Sequence, residues 1–314
     1  MSQKPLIIVS GATGAQGGSV VNSLLATGLY KIRALTRNPN SDKAKALESK
    51  GAEVFKCDLS VREEVENALS GADIAWIVTN FLDPSIIGKD PGEEERQGKM
   101  IADIAKEKGL NWLIYSSLPD STTESGGKYP DVTHFTGKNH VEQYIRKLGI
   151  PNVTFAYLSF YSQNIGTFFL PLISNENGEI DLVIPYFEEN DQLLLIDVRD
   201  TGPIIAKIIE EGPTKWNGKK VPIASENVTI KQITDVLTKV TGKTHKVRTL
   251  NDEDIAKDFP TLNNKSLKQM FKYEKEFGAI GKDNELQDIT IAKKLHPNIK
   301  TFEQYILETY GKSD

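Results

Sequence analysis

One cysteine in 314 residues, Cys57, excludes an internal disulfide and argues for a reducing compartment. It falls at the end of a predicted strand, where a buried structural thiol fits better than a nucleophile. Only four histidines are present (His134, His140, His245 and His296), and together with that cysteine they do not form a zinc spacing. No apolar run approaches the ~18 residues of a membrane span, and Met1-Ser2-Gln3-Lys4-Pro5 has no signal-peptide architecture. We therefore expect a cytoplasmic protein, with the nucleus as a second compartment, no membrane association, and silent sequons at Asn152, Asn227 and Asn264. Basic excess is missing too. A net charge of −5 excludes the footprint of a direct nucleic-acid binder, so any link to DNA would run through another protein. Repeats, low-complexity tracts and long linkers are also absent.

What is present is organised around Leu6-Ile7-Ile8-Val9-Ser10-Gly11-Ala12-Thr13-Gly14-Ala15-Gln16-Gly17-Gly18. An apolar run ends in a glycine-punctuated turn, and Ser19 to Leu25 continues with helical spacing. Strand, turn and helix in that order present bare N–H groups and a positive dipole end to a pyrophosphate. The spacing G-x-x-G-x-x-G differs from the standard G-x-G-x-x-G fingerprint, and a glycine triplet alone would fit a plain turn. The flanking strand and helix favour a nucleotide site.

The second strand, from Lys31, ends in Thr36-Arg37-Asn38, with no acid until Asp42. An NAD-binding domain tends to place a carboxylate there for the ribose 2′-hydroxyl. An arginine instead suits a 2′-phosphate, so NADP(H) is favoured over NAD, the alternative being a solvated surface arginine. A short helix spans 41–50, and a third strand runs from Glu53 into Cys57-Asp58-Leu59. Asp58 and Leu59 can flank an adenine, while Asp58 or Ser60 can cap the helix at 61–69. The run Ile74 to Thr79 reads as a buried parallel strand opening at Asn80-Phe81, on the sheet edge where ligands of open α/β folds bind. A polar loop with Pro84, Gly88, Pro91 and Gly92 leads to a helix over 93–108, with Arg96 and Lys99 on one face. After a strand ending at Ser116-Ser117, the Ser-, Thr-, Gly- and Asp-rich segment 119–131 is expected to be a flexible loop over the site. A helix opened by His134-Phe135-Thr136-Gly137-Lys138 runs to about Leu148, and the next strand leads out to Tyr161-Ser162-Gln163-Asn164.

Six alternations of strand and helix require a doubly wound parallel sheet. Beyond them the pattern degrades. Strands are expected at 180–185 and 192–196, a helix to Glu211, a further strand at 220–224 and an amphipathic helix over 229–241, followed by a helix- and lysine-rich remainder. The expected fold is α/β: a Rossmann-type doubly wound parallel sheet with a smaller, helix-rich C-terminal lobe. Residues 1–160 plus about 190–225 would form the dinucleotide-binding domain, and 161–189 plus 226–314 the substrate or partner lobe.

These motifs, in this order, resemble the NmrA-like family of atypical short-chain dehydrogenase/reductases, especially its NADP(H)-sensing branch. The resemblance rests on the Gly11–Gly18 turn, Thr36-Arg37-Asn38-Pro39, Val78-Thr79-Asn80-Phe81, Arg96-Gln97-Gly98-Lys99, His134 to Lys138 and Tyr161 to Asn164, and covers roughly residues 5–245. It implies that Gly11, Thr13, Gly14, Ala15, Gln16 and Gly17 hold the pyrophosphate and Arg37 the 2′-phosphate. Asp58 and Leu59 would border the adenine, and Thr79, Asn80 and Phe81 the ribose and the centre of the cofactor. Lys138 would reach the nicotinamide-side ribose. Tyr161, Ser162, Gln163 and Asn164 would line the nicotinamide end, with Arg96 at its edge.

Whether the site turns over is open on these residues. Reductases of the superfamily place a tyrosine four residues before the lysine, and here that residue is His134, the nearest tyrosine being Tyr129. His134 could replace the acid, Lys138 could be the acid–base itself, as in isoflavone reductase-like relatives, or both could be structural. Ser116 and Ser117 are weaker candidates to polarise a carbonyl. The leading expectation is an NADP(H)-binding redox sensor, in which cofactor occupancy orders the loops at 81–92 and 117–133 and changes a surface for a regulatory partner. The alternative is an NADPH-dependent quinone or carbonyl reductase.

Overall fold

The computed structural model describes residues 4–83, 86, 90 and 92–311. Its centre is a sheet of seven strands: β1 (Leu6–Val9), β2 (Lys31–Thr36), β3 (Glu53–Lys56), β4 (Ile74–Ile77), β5 (Trp112–Ser117), β6 (Asn152–Leu158) and β11 (Lys220–Ile223). Their spatial order is β3-β2-β1-β4-β5-β6-β11, and every pairing is parallel. The near-continuous apolar runs of the sequence follow from this, because a parallel sheet is covered on both faces. All six residues of β5 are buried, and Trp76, Trp112, Tyr115 and Phe155 pack without solvent contact.

The crossovers are α1 (Ala15–Thr27), α2 (Asp42–Ser49), α3 (Arg62–Leu69), α4 (Glu93–Glu107), the short α5 (Ser121–Glu124) with α6 (Thr133–Leu148), and α7 (Thr201–Glu211) with α8 (Pro213–Trp216). Val9 of β1 pairs with Ala34 on one side and Trp76 on the other. The chain therefore leaves β1 and β4 in opposite directions, opening a crevice at their carboxyl ends. Gly17 lets α1 lie close on that edge: a Cβ there would stand 2.3 Å from the carbonyl oxygen of Ser10.

The rest of the chain builds a smaller lobe. Helix α12 (Thr290–Leu295) packs back on α7 and β11 of the main sheet, and the other expected helices are there: α9 (Ile230–Thr241), α10 (Asp252–Asp258), α11 (Lys265–Phe277) and α13 (Phe302–Tyr310). So are two three-stranded sheets. One is β12-β10-β7, from β7 (Phe160–Tyr161), β10 (Gln192–Ile196) and β12 (Glu226–Thr229). The other is β13-β9-β8, from β8 (Leu172–Ser174), β9 (Ile180–Pro185) and β13 (His245–Leu250). The segment His245–Leu250 falls in the stretch read as helix-rich. It is a strand because β9 offers a full parallel register, His245 on Ile180 through Leu250 on Pro185, a partner no local pattern reveals.

Two further expectations are corrected. Residues 119–131 are not a free loop. Asp120 caps α5 through the amides of Thr122 and Thr123, and Tyr129 donates to Glu276 (2.5 Å). Asp131 N–H donates to Gln269 (2.8 Å) and Tyr273 to Glu124 (2.6 Å), while Ser121, Tyr129 and Val132 are buried. The polar composition that suggested mobility supplies the hydrogen bonds that dock the segment on α11. Nor does Asp58 or Ser60 cap α3. The carboxylate of Asp58 closes a turn on the amide and hydroxyl of Ser60, which leaves Val61 as the cap residue. Of the expected loop at 81–92, Pro84, Gly88 and Pro91 lie outside the described residues.

Candidate functional site

A cavity of about 440 Å³ opens where the sheet edge meets the smaller lobe. One end is the turn between β1 and α1, contributing Gly11, Gly14, Ala15, Gln16 and Gly17. Gly11 sits at φ +59°, a left-handed conformation that glycine adopts without strain. Helix α1 begins behind Gly14, a cap residue that has no side chain to satisfy the first-turn amides. That end is accordingly suited to phosphate oxygens. At the other end, Phe160, Phe169, Leu267 and Met270 form an apolar wall, with Phe81 and Phe135 alongside.

Lys138, on α6, lies on the wall between these ends and is 7% exposed. Its ammonium donates to the Thr79 hydroxyl (2.6 Å), to the Thr79 carbonyl (3.2 Å) and to Glu94 Oε1. The Thr79 hydroxyl in turn donates to the same Glu94 oxygen (2.7 Å). Three N–H groups thus meet three acceptors, and a buried positive charge is matched by a buried negative one. Glu94 belongs to the acidic first turn of α4, where Glu93 and Glu95 point outward and pair with Arg96 and Lys99.

His134, one turn earlier on α6, is committed to the smaller lobe. Its Nδ1 meets Ser266 Oγ at 3.1 Å and its Nε2 meets Met270 Sδ at 3.4 Å, and the ring stacks on Phe81 at 4.4 Å. Burial, with Lys138 nearby, pushes the imidazole down to about 3. It is neutral at physiological pH, so it has no second proton to donate as a general acid.

Gln16 joins the two sides of the crevice. It accepts from Ser116 Oγ (3.0 Å) and donates to the Tyr161 hydroxyl. Burial pushes the Tyr161 phenol up to about 12. Thr79, Asn80, Ser116, His134 and Asn164 complete the expected residues on the wall.

The remaining expected residues stand off it. Arg37 is 57% exposed at its side chain and pairs with Asp83 at 2.6 Å. Arg96 faces outward to Asp90 and Glu93. Gln163 bridges Asp197 (2.6 Å) and the amide of Val198 (3.1 Å), and Ser162 is buried beside it. Thr13, Asp58 and Leu59 are not on the cavity wall, and Leu59 packs against the core of the main sheet. Cys57 is buried, with its thiol pushed up to about 12 by burial and the carboxylates of Glu64 and Asp58, as an inert structural thiol should be.

Sequence reasoning missed Glu94 and Glu274. Glu94 is one of three consecutive glutamates, and nothing local distinguishes the one that turns inward. Glu274 carried a readable signal. On α11 it continues the apolar stripe Leu267, Met270, Phe271 at helical spacing, so a carboxylate occupies a position facing the interior. Among the described residues no group of His, Cys, Asp and Glu is arranged to hold a metal ion, and no helix is long and apolar enough to cross a membrane.

The chain and its fold have counterparts in known proteins. A curated relative from Dictyostelium discoideum, an NmrA-like family domain-containing protein, is 31% identical over the full length of both chains. The NmrA-like family domain-containing oxidoreductase FrzB from Cladobotryum sp is 33% identical, covering 76% of this chain and 74% of its own. Among solved structures, the negative transcriptional regulator NmrA superposes with a TM-score of 0.83 at 25% identity, over 98% of this chain and 96% of its own. The sequence profile of the NmrA-like family itself matches residues 3–306, so the agreement extends through the smaller lobe, beyond the motifs of the first half. The chain belongs to the NmrA-like family.

Proposed function

We propose that this protein binds NADP(H) along the crevice and uses it to reduce an apolar quinone or carbonyl compound. The observation that carries the reading is the continuity of the cavity. One space of about 440 Å³ runs from the uncapped start of α1 to a wall of Phe160, Phe169, Leu267 and Met270. Such a space can receive the nicotinamide half of a dinucleotide at one end and an apolar molecule at the other, the adenine half lying outside it toward Arg37. The α1 turn fits a pyrophosphate: the glycines let its backbone approach, and no side chain competes for the amides. In this reading Arg37 takes the 2′-phosphate and Asp58 and Leu59 border the adenine. Thr79 and Asn80 border the nicotinamide-side ribose, Lys138 reaches it by exchanging one of its Thr79 acceptors for a ribose hydroxyl, and Gln16 and Tyr161 line the approach to the ring. When bound, the cofactor supplies a hydride, and the chain's own residues orient the acceptor and exclude water from it.

The relative FrzB is named an oxidoreductase, which supports the same reading. Steady-state oxidation of NADPH against a panel of quinones and aldehydes tests it. We expect turnover with at least one apolar quinone, and rates at background for every compound would sink the proposal.

A second reading, a redox-responsive regulator, is favoured by one observation. Arg37, the residue assigned to the 2′-phosphate, is engaged by Asp83 in the segment that follows β4. A 2′-phosphate would compete with that carboxylate, so cofactor occupancy would be transmitted to the chain around Asp83. The structural relative NmrA is described as a negative transcriptional regulator. Limited proteolysis distinguishes this reading: cleavage within 81–92 should change when NADP⁺ or NADPH is added, and an unchanged digest would discard it. The segment 117–133, docked on α11, should resist cleavage in both states.

A further inference from the structure

The reductase reading leaves one requirement unmet. A carbonyl or quinone that accepts a hydride also needs a proton on oxygen, and the usual tyrosine is missing. His134 is neutral and bound to Ser266 and Met270, and the ammonium of Lys138 is spent on Thr79 and Glu94. Tyr161 accepts a hydrogen bond from Gln16, and its phenol is held well above neutrality.

One ionisable group on the same wall is uncommitted. Glu274 of α11 lines the cavity, is 5% exposed, and its Oε2 is fully buried with no hydrogen-bond partner. A buried carboxyl oxygen without a partner is costly unless something enters to satisfy it. The residues that share its end of the cavity are Leu267, Met270 and Ala279. An apolar molecule lying there with one polar atom would find Glu274 as the hydrogen-bonding group in an otherwise greasy wall.

We propose that Glu274 is the acid of this site: it hydrogen-bonds the oxygen of an apolar quinone or carbonyl substrate and gives that oxygen its proton. The assignment rests on the reductase reading above. The balance is complete. The substrate takes a hydride from the reduced nicotinamide dinucleotide and a proton from the carboxylic acid, forming a hydroquinone or alcohol. The dinucleotide leaves oxidised, and the Glu274 carboxylate recovers its proton from water.

The electrostatics of the pocket suit this role. Burial alone pushes the carboxyl up to about 8, so the acid form dominates at neutral pH. The neighbouring ionisable groups do not oppose it. From α6, His134 is neutral and the charge of Lys138 is matched by Glu94 of α4. From β7, Tyr161 is a neutral phenol. Beside it on α11, Tyr273 is neutral and donates to Glu124 of α5. A carboxylic acid kept neutral in an apolar site is a recognised way to place a hydrogen-bond donor opposite a carbonyl oxygen.

Two measurements on the full chain test the proposal, using Glu274→Gln, which keeps shape and polarity but has no proton to give. The first needs no cofactor or substrate. Difference infrared spectroscopy across a pH titration should show a carboxylic-acid C=O band that persists at pH 7, disappears between about pH 7 and 9, and is absent from the variant. Lack of such a band overturns the proposal. The second follows NADPH oxidation by 1,4-naphthoquinone. Wild-type kcat should fall above pH 8 by about tenfold per unit, and the variant should be slower by roughly 10²-fold and lose that alkaline limb. Turnover with the same limb in the variant overturns the role of Glu274 and leaves the reductase reading standing. Background rates in the wild type with this quinone and with every other compound of the panel overturn both.

Discussion

Lys138 and Glu94 form an ion pair that is buried on both sides and joins α6 to α4 beneath the carboxyl end of β4. Thr79 locks it by bonding to both partners. The family lysine is therefore held in place by a carboxylate that lies outside the recognised motifs. Glu94 Oε2 is buried without a hydrogen-bond partner, and Glu94 is not on the cavity wall, so the pair is enclosed in the protein interior.

Removing one member strands the other. Glu94→Ala should destabilise the fold by roughly 3 kcal/mol, since an uncompensated buried charge remains. Urea unfolding of Glu94→Ala and of the double variant with Lys138→Met checks this. The double variant should recover part of the loss, and equal losses in the two would mean that the stranded ammonium carries no penalty.

Arg37 and Asp83 make the opposite kind of pair, half exposed and readily exchanged. Arg37→Asp should weaken NADP⁺ binding far more than NAD⁺ binding, because only NADP⁺ offers the 2′-phosphate. Asp83→Asn should strengthen NADP⁺ binding by up to about fivefold, the size of an exposed ion pair. Calorimetric titration with both dinucleotides measures each, and equal losses for the two cofactors in Arg37→Asp would detach that residue from the phosphate.

His134 predicts an acid sensitivity. Its folded-state value of about 3 lies below the ordinary 6.5, so below pH 6.5 the unfolded chain binds a proton that the folded chain refuses. Stability is then lost as pH falls, by about 1.4 kcal/mol per unit, or about 2 kcal/mol at pH 5. In His134→Asn the drop between pH 7 and pH 5 should be smaller by about that amount. Urea titrations at the two pH values read it directly.

Gly17→Ala should fail structurally before it fails in binding. The added methyl would meet the carbonyls of Ser10 and Gly11 at 2.3 and 2.4 Å, backbone atoms that have no room to retreat. We expect a loss above 3 kcal/mol or no soluble protein. Gly18→Ala meets its nearest backbone oxygen at 3.2 Å and should be tolerated much better. Thermal melts of the two side by side make the comparison.

The alternation of strand and helix was legible because a sheet covered on both faces requires apolar runs, and the turn after β1 because close approach requires glycine. Both are local demands, written where they act. The same holds for Lys138, whose motif opens α6, and for the ends of β9 and β10. Residues 119–131 and His245–Leu250 were misread for a common reason: their structure is stabilised by partners more than a hundred or about sixty positions away, on α11 and on β9.

The site divides in the same way. Sequence by itself determined the glycine turn that opens α1 and the family, since backbone geometry at a helix start depends on a few adjacent residues. Tertiary structure alone decided that Glu94, not Arg96, turns toward Lys138, that His134 is tied to Ser266 and Met270 of α11, and that Glu274 reaches the cavity from the far lobe. Burial and the meeting of distant side chains set the charge states on which chemistry depends, and no single segment of chain carries that information.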